Sequence, residues 1–129
     1  MGSRENIFVN FTNHSSEMWE EKQLYVARQY GRIVDLPFPN VHPDAKEQDI
    51  EILGEECCRR ILEWEPGAVL CQGEFSLTFF VVSRLREKGV KVLTACSERK
   101  TVQSGNVRSS IFEFAGFREY VDREQGGKT

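Results

Sequence analysis

The sequence lacks the motifs that identify the common nucleotide and metal enzymes. No G-x-G-x-x-G follows the first hydrophobic segment, and neither a G-x-x-x-x-G-K-[ST] phosphate loop nor a G-x-S-x-G nucleophile motif occurs. The two histidines and four cysteines have no zinc-site spacing, since Cys57 and Cys58 are adjacent. We therefore expect no dinucleotide cofactor, no other cofactor and no metal.

Long hydrophobic runs and an excess of positive charge are also missing. No segment approaches the roughly 18 apolar residues of a membrane span, and the net charge is -3. We expect no membrane and no duplex nucleic acid as partner, because the chain has no broad basic surface. The start of the chain has no basic segment followed by an apolar core, which predicts a cytoplasmic location with reduced cysteines.

The length of 129 residues suits one domain. We predict a single domain over residues 5–121. Residues 1–4, Met-Gly-Ser-Arg, are interpreted as an expression scar. Residues 122–129 are polar and are predicted to be a disordered tail.

Hydrophobic periodicity predicts alternating strands and helices. Strands are expected at residues 7–11, 32–38, 68–71 and 90–96, and helices at residues 17–30 and 46–64. A third helix starts at Phe75 and ends at Gly89, despite the strand-like letters FFVV. After Cys96 the polar segment SERKTVQSGN, interpreted as a loop with a turn, is followed by the alternating segment VRSSIFEFAGF.

This order predicts an α/β, Rossmann-like, doubly wound and mainly parallel sheet with helices on both faces. The expected strand order is about 2-1-3-4 plus a C-terminal hairpin or edge strand. In such sheets ligands bind in a crevice at the carboxyl ends of the strands. Function is therefore expected in the loops that follow strands one, three and four.

The segment CQGEFS follows strand three. Gly73 is expected to let the chain turn sharply, so that the first N–H groups of the next helix attract an anion, with Ser76 as a further donor. Glu74 complicates a phosphate site unless it accepts a ribose hydroxyl or acts as a base. The alternative is that Glu74 and Ser76 only cap the helix.

The other two loops supply further polar groups. The first, NFTNHSS, includes His14 as a candidate acid or base, although it is equally a solvated loop residue, and Ser15 or Ser16 as a helix cap. After strand four, SERKT places Arg99 and Lys100 at the same edge of the sheet, unless they are ordinary surface charges.

These segments, IFVNFTNHSS, AVLCQGEFSLTF, VKVLTACSERKTV and SIFEFAGFREY, resemble the small stand-alone proteins of type III CRISPR loci with a CARF-like (CRISPR-associated Rossmann) fold. The resemblance implies a homodimer that binds cyclic oligoadenylate, either cleaving it as a ring nuclease or sequestering it. Its ligand loops correspond to residues 10–16, 72–76 and 97–100. The implied ligand-binding residues are Asn10, Thr12, Asn13, Ser15, Gln72, Gly73, Phe75, Ser76 and Ser97, and the implied catalytic residues are His14, Glu74, Arg99 and Lys100.

Cyclic tetra-adenylate is the favoured ligand, because its twofold symmetry matches that of a dimer. Cleavage is expected without metal, by attack of a ribose 2′-hydroxyl on the adjacent phosphate. Phe79, Phe80 or Val82 are expected either to cross the twofold or to be buried within the monomer. The remaining alternatives are a non-cleaving binder and an unrelated flavodoxin-like interaction module.

Overall fold

The structure, a computed structural model, describes residues 6–123. Its strands are β1 (Ile7–Phe11), β2 (Arg32–Asp35), β3 (Ala68–Cys71), β4 (Val92–Ser104) and β5 (Val107–Glu119), and its helices are α1 (Glu21–Arg28), α2 (Glu47–Glu63) and α3 (Phe75–Glu87). A single 3-10 turn, Ser16–Met18, precedes α1. The predicted expression scar and residues 124–129 of the predicted disordered tail lie outside the described residues.

The five strands form one sheet in the order β2-β1-β3-β4-β5. The first three neighbouring pairs are parallel, and β4 pairs with β5 antiparallel. Every residue of β1 and β3 is buried, as the continuous apolar runs of central strands require. The predicted α/β class with a mainly parallel sheet is confirmed.

Helices pack on both faces of this sheet. On one face, α2 and α3 contribute Cys58, Ile61 and Leu77 to a cluster that includes Val9 and Val69. On the other face, Ala27 of α1 packs with a smaller cluster centred on Phe8. The parallel pairing thus leaves the carboxyl ends of β1 and β3 together at one edge, beside the first half of β4.

Two predicted elements are longer than the observed ones. The helix expected from Glu17 begins as a 3-10 turn and becomes α-helical only at Glu21, because Trp19 has an extended backbone between the two. The second strand ends at Asp35, shortly before Pro37 and Pro39. Beyond it, Leu36 N still donates to Asn10 O of β1, and Phe38 N donates to Thr12 O.

The prediction of a loop after Cys96 is wrong. Strand β4 continues to Ser104, and its pairing with β5 is unbroken from Ser97 to the turn at residues 105–106. The side chains of this segment are polar because both of its faces are exposed, so its amino-acid composition is that of a loop. Its backbone groups are satisfied by β5, which makes residues 98–113 a two-stranded projection that we call the arm.

Among residues 6–123, no helix is long and apolar enough to cross a membrane.

Candidate functional site

A cavity of about 790 Å³ opens at the carboxyl ends of β1 and β3, beside Thr94, Ala95 and Ser97 of β4. It brings together side chains from all three predicted segments. Of the predicted site residues, Thr12, Asn13, His14, Gln72, Gly73, Phe75 and Ser97 line it. The other lining residues are Met18, Trp19, Glu20, Gln23, Leu70, Thr78, Thr94, Ala95, Phe112, Phe114 and Tyr120.

The first loop is held by a buried hydrogen-bond network centred on Asn10. The Asn10 amide nitrogen donates to the carbonyl of His14 and to Asp35 Oδ1, both at 2.8 Å. Its amide oxygen accepts from Thr12 Oγ1 at 2.8 Å. Asn10 is 1% exposed and does not line the cavity, so its polar groups support the loop instead of facing the cavity.

Asp35 was not recognised from the sequence, yet it organises the end of this loop. Its carboxylate accepts from the backbone N–H of Ser16 at 3.2 Å and from the Ser16 hydroxyl at 2.9 Å. Ser15 donates to it at 3.4 Å and caps the 3-10 turn by accepting from Glu17 N at 3.3 Å. The predicted capping role of Ser15 is confirmed for that turn, and Ser15 lies outside the cavity wall.

His14 and Asn13 are the exposed side chains that this network presents to the cavity. The His14 backbone is fixed on both sides, since its carbonyl accepts from Asn10 and its N–H donates to Thr12 Oγ1 at 3.1 Å. An imidazole held by its backbone at a cavity wall is placed to exchange a proton with a bound molecule.

The second segment, CQGEFS, lies where β3 and β4 separate at the base of the cavity. Pairing between β3 and β4 ends at Leu70 and Leu93. Beyond that point the side-chain oxygen of Gln72 accepts from the backbone N–H of Ala95, replacing a backbone rung of the ladder. Gly73 has no positive φ, so the expected sharp turn does not need glycine; a Cβ there would instead lie 2.5 Å from the Phe38 ring.

Glu74 is the N-cap of α3. Its carboxylate accepts from the backbone N–H of Leu77 at 2.8 Å and from the Ser76 hydroxyl at 2.7 Å. These bonds, that of Leu77 first and that of Ser76 second, lower the pKa of Glu74. The capping alternative therefore describes both residues, and the carboxylate already occupies the helix terminus where an anion was expected.

The arm separates the two predicted cations. Neighbouring residues of a strand point to opposite faces, so Arg99 and Lys100 do not converge. Arg99 Nε donates to Ser110 at 3.2 Å, on the same face as Ser97. Lys100 forms an ion pair with Glu113 at 3.0 Å on the other face, which raises the pKa of Lys100. Neither lines the cavity.

Tyr120 is a cavity residue that the sequence interpretation missed. Its hydroxyl donates to the carbonyl of Cys71 at 2.9 Å, and burial raises its pKa. The Thr78 hydroxyl, also in the wall, is buried and has no hydrogen-bond partner among residues 6–123. In the sequence, these residues could have been found from the position of Thr78 in the first turn of the predicted third helix and of Tyr120 at the end of the last predicted strand.

The chemistry of the wall is polar and aromatic. The cavity wall contains hydroxyl and amide side chains together with the aromatic rings of Trp19, Phe75 and Phe112. Its ionisable side chains are those of His14, Glu20 and Tyr120. No lysine or arginine belongs to the wall as formed by residues 6–123. Within the same described residues, no group of three His, Cys, Asp or Glu side chains is arranged to hold a metal ion.

Comparison with known families gives one result. A family model described as the uncharacterized protein MJ1673 family matches residues 6–118, and the chain belongs to this family. No curated protein matches the chain.

Proposed function

We propose that this member of the MJ1673 family binds cyclic oligoadenylate, with cyclic tetra-adenylate favoured, and cleaves it without a metal ion. In this proposal the domain is Rossmann-like and doubly wound, acts as a homodimer in the cytoplasm and switches off a signal of type III CRISPR immunity. The observation that carries the proposal is the cavity, where residues from the three segments predicted from the sequence to form one ligand site share a wall.

The size of the cavity suits part of a nucleotide ring. Its volume of about 790 Å³ falls in the range of about 300–1,000 Å³ typical of small-molecule sites. A ring of several nucleotides exceeds one such cavity, so two copies related by a twofold axis would each hold half of a symmetric ring.

The cavity wall offers aromatic rings on which a base can stack and polar groups that can hydrogen-bond to it. Phe75 is 90% exposed and Phe112 is 68% exposed, and each presents a ring at the cavity on which a base can stack. Gln72, Thr78 and Thr94 supply donors and acceptors for base edges or ribose hydroxyls.

Cleavage in this site would proceed by intramolecular transesterification. His14 accepts the proton of a ribose 2′-hydroxyl, the 2′-oxygen bonds to the adjacent phosphorus, and the bond from phosphorus to the 5′-oxygen breaks. The leaving 5′-oxygen takes up a proton from solvent water and His14 returns its proton to solvent, giving a 2′,3′-cyclic phosphate and a 5′-hydroxyl. Arg99, on the face of the arm that continues from Ser97, would neutralise phosphate charge beyond the cavity mouth.

The first experiment incubates the purified chain with labelled cyclic tetra-adenylate in EDTA. Linear products ending in a 2′,3′-cyclic phosphate are expected. Tight binding without products would instead favour the non-cleaving binder. Absence of binding to rings of three, four and six adenylates would reject both and favour an interaction module.

Two substitutions test the assignment of the site. We expect His14→Ala to slow cleavage by about a hundredfold or more, the usual contribution of an acid–base group. His42→Ala is the matched control, because His42 is exposed, its ring contacts Asp44 within the same loop, and it does not line the cavity. Equal loss in both variants would contradict the role of His14.

Phe75→Ala tests stacking. It should weaken ring binding by about tenfold or more if a base stacks on this residue. Tyr25→Ala, which removes an aromatic ring 67% exposed on α1 and outside the cavity, should leave binding unchanged.

A further inference from the structure

The hydrogen-bond ladder between β3 and β4 stops at the base of the cavity, where its next rung is split. Val69 N donates to Lys91 O. In a parallel ladder the bonds are evenly spaced and each strand advances by two residues from one bond to its next bond. The rung beyond the last pair of the ladder would therefore join the backbone N–H of Ala95 to the carbonyl of Cys71. Both of these groups bond to side chains instead.

The Ala95 half of the rung is occupied by Gln72. The side-chain oxygen of Gln72 accepts from the backbone N–H of Ala95. Only the oxygen of a side-chain amide can accept, so this bond fixes the orientation of the amide group. The oxygen of Gln72 thus replaces the Cys71 carbonyl, and the NH₂ group of the same amide remains to donate elsewhere.

The Cys71 half of the rung is occupied by Tyr120. The backbone N–H of Tyr120 donates to Val92 O on the β5 side of β4, and its hydroxyl donates to Cys71 O at 2.9 Å. Because β4 lies between β3 and β5, the Tyr120 side chain spans β4 to reach β3. Its ring packs against the cluster beneath α2 and α3. Side chains at the ends of two different strands therefore satisfy the two groups of one rung.

The split rung is part of the cavity wall. Gln72, Ala95 and Tyr120 line the cavity, as do Leu70 and Thr94 beside them. A formed rung would hold β3 and β4 at the ladder spacing of about 4.8 Å and would fill the space between them with backbone. The backbone N–H and carbonyl are satisfied in either arrangement. The two arrangements differ in whether the cavity extends between the strands.

We propose that Gln72 and Tyr120 are positioning residues that split this rung and so keep the base of the cavity open to a ligand group. The proposal deepens the proposed function and rests on it for the identity of the ligand, a base of the cyclic oligoadenylate. The NH₂ group of Gln72 can only donate, so a ligand group that meets it needs an acceptor, such as a ring nitrogen of adenine.

A double-mutant cycle tests whether the two side chains act on one rung. Q72A or Y120F alone removes the partner of one backbone group, and each should lower the folding equilibrium constant by about tenfold. Q72A/Y120F removes both partners, so the Ala95 N–H and the Cys71 carbonyl can bond to each other. The double variant should therefore lose less than the product of the two single losses. A loss equal to that product or larger would contradict the proposal.

The rung itself is measured by NMR on the full chain, as the scalar coupling across a hydrogen bond between the amide nitrogen of Ala95 and the carbonyl carbon of Cys71. The coupling should be absent from the wild type and present in Q72A/Y120F. Q72E keeps an oxygen for the Ala95 N–H, so the coupling should stay absent from this conservative variant. A coupling in the wild type, or none in Q72A/Y120F, would overturn the proposal.

Ring binding then measures the consequence for the cavity. Q72A/Y120F, folded by circular dichroism, should bind cyclic tetra-adenylate about tenfold more weakly than the wild type or worse. Q29A/Y25F makes the same replacements on the exposed surface of α1, where Gln29 donates to the Tyr25 carbonyl outside the cavity, and should bind like the wild type.

Equal affinity of Q72A/Y120F and the wild type, or an equal loss in Q29A/Y25F, would also overturn the proposal. A wild type that binds no ring rejects the proposed ligand, whereas the coupling between Ala95 and Cys71 decides independently of any ligand whether Gln72 and Tyr120 split the rung.

Discussion

The Cα of Gly73 faces the ring of Phe38, and a Cβ built there would lie 2.5 Å from two ring carbons. Phe38 is itself packed on Phe11, with ring centroids 4.8 Å apart, and both rings are buried. The ring therefore has little room to move away. Because this position is glycine, the proline-rich segment after β2 can pack directly against the turn that leads from β3 into α3.

We expect Gly73→Ala to lower the free energy of unfolding by about 1–3 kcal/mol, the usual cost of overpacking a buried site. Gly67→Ala is the control, because a Cβ at Gly67 would meet its nearest atom at 3.6 Å and its φ is not positive. Urea unfolding of both variants measures the difference. Equal stability of the two would show that the Phe38 ring adjusts without cost.

Glu74 gives a second prediction at the scale of a single residue. Its pKa is lowered by the bonds from Leu77 and Ser76, so the folded state favours the carboxylate. The stabilisation is therefore complete above the pKa of the unfolded chain and is lost as the pH falls through the folded pKa. Glu74→Ala should cost about 1 kcal/mol at pH 7, the typical value of an N-cap.

Unfolding free energies of wild type and Glu74→Ala, measured from pH 7 downward, should converge below pH 4.5, the ordinary pKa of this group. Glu51→Ala, an exposed carboxylate within α2, provides the comparison and should show no such convergence. A constant gap between wild type and Glu74→Ala at every pH would mean that the cap does not depend on ionisation.

At the scale of elements, the Asn10 network joins β1, the first loop and β2. Removing the Asn10 side chain leaves the buried Thr12 hydroxyl without that acceptor and Asp35 without its buried donor. Asn10→Ala should destabilise the fold by about 1–3 kcal/mol. Ring binding should also weaken, because His14 loses the bond to its carbonyl. Amide exchange of residues 12–16 should accelerate, whereas unchanged exchange would show that the loop holds without Asn10.

The elements that hydrophobic periodicity predicts well are those buried by the core. The helices at α2 and α3 and the central strands have patterns that follow burial, and each was located within a few residues. The turn and the strand that follows it were predicted, but the β4 half of the arm, residues 97–104, was missed, because its residues are exposed on both faces and are polar like those of a loop. Its backbone hydrogen bonds to β5 depend on the partner strand, which local pattern does not reveal.

In the candidate site, too, one part could be predicted from the sequence and another part could not. Topology brought residues 12–14 and residues 72, 73 and 75 to one cavity, because the parallel strands before them end at a common edge, and Ser97 of the neighbouring β4 reaches the same cavity. Which side chains face inward depended on contacts between distant residues. Asn10 turned toward Asp35 and Lys100 toward Glu113, contacts that spacing along the chain does not specify. Glu74 turned toward its own helix, as the capping alternative predicted.

At the scale of the whole molecule, the four cysteines report on global opening. Cys57, Cys58 and Cys71 are buried in the cluster shared by α2, α3 and the sheet, and all four thiols are free. Burial raises the pKa values of Cys57 and Cys71, and it raises that of Cys58 to about 12. Cys96 is only partly buried. Because thiolate is the reactive form, the three core thiols are protected twice, by access and by protonation.

A thiol reagent such as DTNB should therefore modify Cys96 quickly in the native protein and the other three together at a slow rate set by global unfolding. The slow rate should rise in Gly73→Ala, which destabilises the same cluster, while the fast rate stays constant. Cys96→Ser should remove the fast phase alone. Rapid modification of a second cysteine would show that the helices on that face open locally without unfolding of the sheet, and the core would then not act as one cooperative unit.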